Sequence, residues 1–172
     1  MPMWNTVVTN KGLALQAKQV DGATIKFTRV VSGSGSVLFE TLADQTDIST
    51  VVQSLSMKGL EVKGNTYVIG VLLSNTDVSN AYYLSQIGFY AEDPDEGEIL
   101  FAIAQLDESR KIYSFSEAPG YGIQFKFTFE NSNNATIIIT PDMAAYVTRK
   151  EVEKLVEESS SDIIVPGADI TE

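Results

Sequence analysis

The densest group of residues able to do chemistry is the run Asp93, Asp95, Glu96 and Glu98. Carboxylates packed this closely can chelate calcium, or divide the acid and base roles of a hydrolysis between them. As a calcium loop the run lacks the glycine placement and the distal acid of an EF-hand, since the twelfth position counted from Asp93 is Ala104. Turn chemistry accounts for it without a metal. Pro94 fixes φ early in a turn, Asp93 and Asp95 can accept from nearby backbone N–H groups, and Gly97 takes the positive φ that closes such a loop. No metal and no cofactor is expected.

Other routes to catalysis are narrow. The chain has no histidine and no cysteine, which removes the usual general base, the usual soft metal ligands, disulfides and the thiolate nucleophile together. Paired carboxylates, a lysine nucleophile or a Ser–Lys pair remain, and no serine lies in a Gly-x-Ser-x-Gly elbow. The run Ser32-Gly33-Ser34-Gly35-Ser36 lacks the Gly-Lys-Ser/Thr ending with which a phosphate loop neutralises its ligand. No catalytic residue is assigned, and the chain is expected not to be an enzyme.

The elements that carry the acid turn are the clearest in the chain. From Ala81 to Gln105 two apolar arms flank it, which reads as a β-hairpin. On the rising arm a period of two puts Tyr83, Ile87, Phe89 and Ala91 on one face and Leu84, Gln86, Gly88 and Tyr90 on the other. The descending arm alternates Ile99, Phe101 and Ile103 with Leu100, Ala102 and Ala104. Both of its faces are apolar, so it should lie centrally and be covered on both sides.

Around this hairpin the pattern is mostly strand. Thr9 or Asn10 can cap a short helix running to Lys18. Ala23 to Val31 alternates, Val37 to Asp47 holds a helical turn or irregular chain, and Val51 to Leu73 folds back at Lys63-Gly64-Asn65 as a second hairpin. Asp107 to Arg110 reads as a turn. Tyr121, Ile123, Phe125, Phe127 and Phe129 share one face of a strand whose other face is polar, and Ala135 to Thr140 makes a last strand. The expected fold is mainly β, an antiparallel sandwich or flattened barrel with a short N-terminal helix and a C-terminal helix. Residues 1–141 form the β-rich domain and 142–172 a helix with an acidic tail.

Composition sets outer limits. Hydrophobic residues at 44% and charged residues at 20% are ordinary for a globular chain, and 172 residues suffice for a core without staples. A net charge of −11 with scattered basic residues argues against nucleic acid. From Glu151 to Glu172 seven acids face one base, so this stretch alone carries −6. The opening MPMWNTVV lacks the basic and apolar regions of a secretion signal, and no apolar window is long enough to span a bilayer. The expectation is a chain that stays soluble and does not insert in membranes.

The run IGFYAEDPDEGEILFAIAQ, together with the opening WNTVVTNKGLALQAKQVDGATIKFTRVVSGSG, resembles the N-terminal domain of the phage tail-collar fibre protein family. The likeness lies in the order of pieces: a Trp, a Thr-Asn-x-Gly helix start, a Phe-Thr-Arg strand ending in Gly-Ser-Gly, then the Gly-Phe-Tyr-Ala-x-Asp-Pro hairpin. It covers residues 4–140, in the middle by pattern more than by letters. The resemblance implies a structural component of a contractile phage tail or phage-like particle, located in the tail and made in the bacterial cytoplasm. It implies a homotrimer that contacts other baseplate or tail proteins and a separate receptor-binding fibre or its chaperone. Family members that bind receptors carry long fibre repeats and a separate tip after this domain. A chain ending at Glu172 is then a short adaptor, a cap on the baseplate edge, or the anchor of a longer fibre. The alternative function is a free-standing carbohydrate-binding β-sandwich that touches the host surface itself.

Candidate interface residues come from anomalies. Trp4 either anchors the N-terminal arm against the core or meets a neighbouring particle protein. Arg29 interrupts the apolar face made by Ile25, Phe27 and Val31, so either the strand bulges there or the charge is paired, including across a subunit boundary. Thr148 to Glu151 fits a capping box opening a helix to about Ser159, whose stripe of Val152, Leu155 and Val156 is too thin to hold an isolated helix in water. Ile163 and Ile164 form an apolar patch in the polar tail. All seven side chains are candidates for association or docking.

Overall fold

The computed structural model describes residues 3–18, 24–130 and 136–139. In chain order they form β1 (Trp4–Val8), α1 (Asn10–Lys18), β2 (Thr24–Gly33), a 3-10 turn (Phe39–Asp44), β3 (Val51–Lys63), β4 (Thr66–Ser74), β5 (Tyr82–Asp93), β6 (Gly97–Ile112), β7 (Gly122–Glu130) and β8 (Thr136–Ile138). The expected C-terminal helix, with Val152, Leu155, Val156, Ile163 and Ile164, lies outside the described residues.

The strands make one sheet in the order β1-β6-β5-β2-β3-β4-β7, with neighbours antiparallel. The sheet is nearly closed into a barrel. Its two outer strands meet through side chains: Trp4 on β1 stands edge-on to Phe125 and Phe127 on β7, at ring-centre distances of 5.6 and 5.4 Å. Phe27, Tyr67, Ile69, Phe89, Phe101 and Phe129 fill the interior. The aromatic row of β7 faces inward as its alternation predicts, while Gly122, Gln124, Lys126, Thr128 and Glu130 are exposed.

β8 departs from the antiparallel pattern by running parallel to β2. β3 pairs β2 only over Val30 to Gly33, so Thr24 to Lys26 would show a bare edge on that side, and β8 covers it.

The two hairpins form as the turn residues predict. Gly64, at φ +57°, and Asn65 link β3 to β4 in a two-residue loop, and Gly97, at φ +81°, closes the three-residue loop from β5 to β6. Strict alternation, however, fails where the register shifts, and two of the shifts lie between β5 and β6. Opposite Ser85 the register jumps from Gln86/Gln105 to Leu84/Arg110, so Leu84 turns into the core beside Ile87, and Tyr83, expected inside, is 58% exposed. The same jump corrects the expected turn at Asp107 to Arg110. That stretch is an outward swelling of a strand that continues to Ile112, and the Asp107 carboxylate accepts from the Met3 N–H at 2.8 Å. On β6 a second shift at Phe101 exchanges the faces, so Phe101, Ala102 and Ala104 reach the interior while Leu100 and Ile103 point outward.

Those outward residues are covered, as the doubly apolar pattern of this arm requires. Val31, Leu42, Ile48, Tyr90, Leu100 and Ile103 form a second buried cluster under the segment that contains the 3-10 turn. Two buried glutamines hold that segment down. Gln86 donates to Gln105 at 2.7 Å and accepts from the Ser49 N–H, while Gln105 both accepts from and donates to the backbone of Val37. Every amide group of the pair is thereby used, which is the condition for burying it.

Candidate functional site

The end of the sheet near the β5–β6 turn is closed by α1. Thr9 caps the helix, its hydroxyl accepting from the Gly12 N–H at 3.0 Å and donating to the Leu100 carbonyl, and Leu15 is fully buried. Gly12 lies so close to β6 that a Cβ there would sit 2.1 Å from the Phe101 oxygen. The four acids of the turn are each matched within the chain. Lys18 reaches both Asp93, at 2.9 Å, and Asp95, at 3.0 Å; Lys11 pairs with Glu96; and Arg29 pairs with Glu98 at 2.9 Å. Asp93 also accepts from the N–H groups of Asp95 and Glu96, the turn role its sequence position suggests. Its hydrogen bond to Lys18, and then the Asp95 N–H, hold the Asp93 carboxyl below the usual carboxylate range. The same contact raises Lys18. Carboxylates committed in this way tie helix to hairpin. Among the described residues no group of acids is placed to hold a metal ion.

Arg29 sits at a bulge, as one of its two readings required: the register of β2 on β5 shifts between Phe27 and Arg29, turning the guanidinium outward. There it lies 4.1 Å over the ring of the buried Tyr90 as well as beside Glu98. Trp4 is half-buried and anchors β1 against β7. These contacts account for both residues within one chain. They leave the outer part of each side chain accessible.

The opposite end carries features that periodicity did not disclose. Here β4 ends, β5 begins, β6 ends and β7 begins, and the loops at Asn75 to Asn80 and Tyr113 to Tyr121 meet. Asn75 joins them. It is completely buried, and its amide donates to the carbonyls of Tyr113, Ser114 and Ala118 at 3.0, 3.1 and 2.9 Å, while its own N–H reaches the Tyr121 oxygen. The Phe115 N–H donates to Val78 at 2.9 Å. Between the loops lies an open cleft of about 390 Å³ lined by Thr76, Asp77, Val78, Ser79, Phe115 and Ser116. Glu117 braces the second loop through the Ser114 hydroxyl and N–H, which hold its carboxyl below the usual range, and pairs with Lys111. Tyr113 and Tyr121 meet edge-on at 5.2 Å on the same end of the sheet. A polar residue directly after an apolar strand is the one sequence signal that Asn75 gives, and many loop asparagines share it.

No described helix is long and apolar enough to cross a membrane. Compared with protein-family models, curated proteins and solved structures, the chain finds no match. The functional reading therefore rests on this fold, its surface and the sequence pattern.

Proposed function

We propose that the protein is a structural component of a contractile phage tail or phage-like particle, a baseplate-attached fibre base or an adaptor for a receptor-binding protein, and not an enzyme. One observation supports this above the rest. The two stretches that carry the resemblance are separated by more than forty residues in sequence, yet they form neighbouring parts of one unit: β1, β6, β5 and β2 are consecutive in the sheet, and α1 packs on β6. Pieces that recur in a fixed order and also fold into a contiguous block are what a shared domain would produce. The ion pairing of the acid turn supports a structural use of its carboxylates.

On this reading the chain acts as a homotrimer, associated through the sequence stripe of Val152, Leu155 and Val156, which lies outside the described residues. Trp4 and Arg29 offer their accessible edges to tail or baseplate neighbours. Immunogold electron microscopy of particles released by the cells that encode the chain is the test. Label at the distal end of tails is expected, and a chain recovered only apart from particles overturns the proposal. The alternative, a carbohydrate-binding domain, draws on one observation, the aromatic-walled cleft beside Asn75.

A further inference from the structure

The cleft between the Thr76–Ser79 loop and the Phe115–Ser116 loop is built and open, and it lies at the end of the sheet away from the ion-paired acid turn. Its volume, about 390 Å³, falls within the roughly 300–1,000 Å³ range of small-ligand sites. It is too confined for the broad contact a stable protein partner makes. Its walls are fixed. Asn75 ties three carbonyls of one loop to the base of the other, and the Phe115 N–H is bonded to Val78, so the two sides are held at a set spacing before any ligand arrives.

The chemistry of the lining is of two kinds. Phe115 is 45% exposed, an unusual setting for a phenylalanine whose backbone is so firmly held. Around it stand Thr76, Asp77, Ser79 and Ser116, the Thr76 hydroxyl bonded to that of Ser74 at 2.8 Å and the Ser116 hydroxyl to that of Ser114 at 3.4 Å, each with capacity for a further bond. An apolar ring face beside a rim of hydroxyls and one carboxylate complements a molecule that has a C–H face and hydroxyl edges, which is the make-up of a sugar ring. A purely aliphatic ligand would leave the rim unmatched. An anionic ligand would meet Asp77, and the nearby Lys111 is already paired with Glu117 at 3.2 Å.

We propose that this cleft binds a single sugar unit, neutral or amine-bearing, stacked on Phe115 and hydrogen-bonded by Asp77 and the flanking hydroxyls. The site binds without cleaving. It is independent of attachment to a tail, so either property can fail without the other.

The test is a backbone-amide NMR titration of the full chain with four probes: methyl β-glucoside, N-acetylglucosamine, glucosamine and the anionic N-acetylneuraminic acid. Saturable shifts at residues 76–79 and 115–116 are expected with the first three, at millimolar affinity, and not with the fourth. Phe115→Ala should weaken binding about tenfold or more, the loss equivalent to about 1.4 kcal/mol of ring contact. Asp77→Asn should weaken glucosamine more than the glucoside, and Phe39→Ala, an exposed aromatic elsewhere, should change nothing. If Phe115→Ala does not fold, Phe115→Leu, which keeps an apolar side chain without the ring, takes its place. No saturable shift at these amides with any of the three sugars overturns the proposal. So does equal binding of the anionic sugar, or undiminished affinity after loss of the ring.

Discussion

Asn75→Ala tests how the cleft is held. The three carbonyls that Asn75 serves do not lose equally. Ser114 O still accepts from the Ala118 N–H at 3.1 Å, and Ala118 O from the Tyr121 N–H at 3.0 Å, whereas Tyr113 O depends on the Asn75 amide. The amide has two hydrogens for these three carbonyls, so the substitution removes the equivalent of one supplementary bond, about 0.5 kcal/mol at the low end, and strands one acceptor at about 1–3 kcal/mol, while it also removes the Asn75 Oδ1, which is buried without a hydrogen-bond partner. Tyr113 is partly exposed, so water can reach its carbonyl once the loop relaxes, which places the total near the lower limit, about 1 kcal/mol. For a chain of this length that is a fall of about 2–4 °C in Tm. Urea unfolding gives the magnitude and native-state hydrogen exchange gives the location. The amides of Phe115, Ala118 and Tyr121 should lose protection while those of β5 and β6 keep theirs, apart from the global loss. A change below about 0.5 kcal/mol, or protection lost evenly over the sheet, would refute the account of Asn75 as the local tie.

Three other outcomes are expected. Asp93 has a folded pKa below its unfolded one, so between the two the unfolded chain binds more protons; the stability it contributes is present above about pH 4 and lost as pH falls through the folded value. Asp93→Asn, which keeps the turn acceptor, should flatten that acid limb in denaturation curves taken across pH, and limbs of equal slope would contradict the assignment. Gly12→Ala should destabilise by about 1–3 kcal/mol despite the better helix propensity of alanine, because α1 must lift off the Phe101 carbonyl; an unchanged urea midpoint would mean that the helix has slack there. For assembly, sedimentation of the full chain should give a trimer, and a chain ending at Met143 or carrying Val152→Asp with Leu155→Asp should give monomers. All three species behaving alike would remove this segment as the oligomerisation element.

The sequence is most legible where one interaction decides the local structure. Asp93 to Gly97, Gly64-Asn65 and the Thr9 cap are each settled by residues next to one another, and the row from Tyr121 to Phe129 by a plain period of two. Legibility fails where a strand inserts residues. Nothing in the letters around Ser85 or Phe101 announces a bulge, and each reverses the parity of the residues beyond it on its own strand, which is why Tyr83 and Leu84 exchange places; the extra residues of β6 opposite Ser85 are why Asp107 to Arg110 imitates a turn. Arg29 is the exception, because a charge on an apolar face marks its own bulge. The cleft was invisible for a different reason. Its walls come from two loops about forty residues apart, and they are joined by one side-chain amide meeting three carbonyls, a relation that no local pattern encodes.

The contact that brings the two outer strands together also fixes how the chain can report on its own folding. Trp4 is the only tryptophan, and its ring lies against Phe125 and Phe127. β1 pairs with residues about a hundred positions later, whereas the β3–β4 and β5–β6 hairpins close locally, so β1 should be the costly late step and the whole process slow for a domain of this size. Indole emission in a stopped-flow experiment therefore tracks the seam and is silent on the hairpins, which far-ultraviolet circular dichroism tracks instead. A fluorescence phase slower than the dichroism phase would show the barrel assembling from preformed hairpins, and identical rates would show that the seam closes in the same step as everything else.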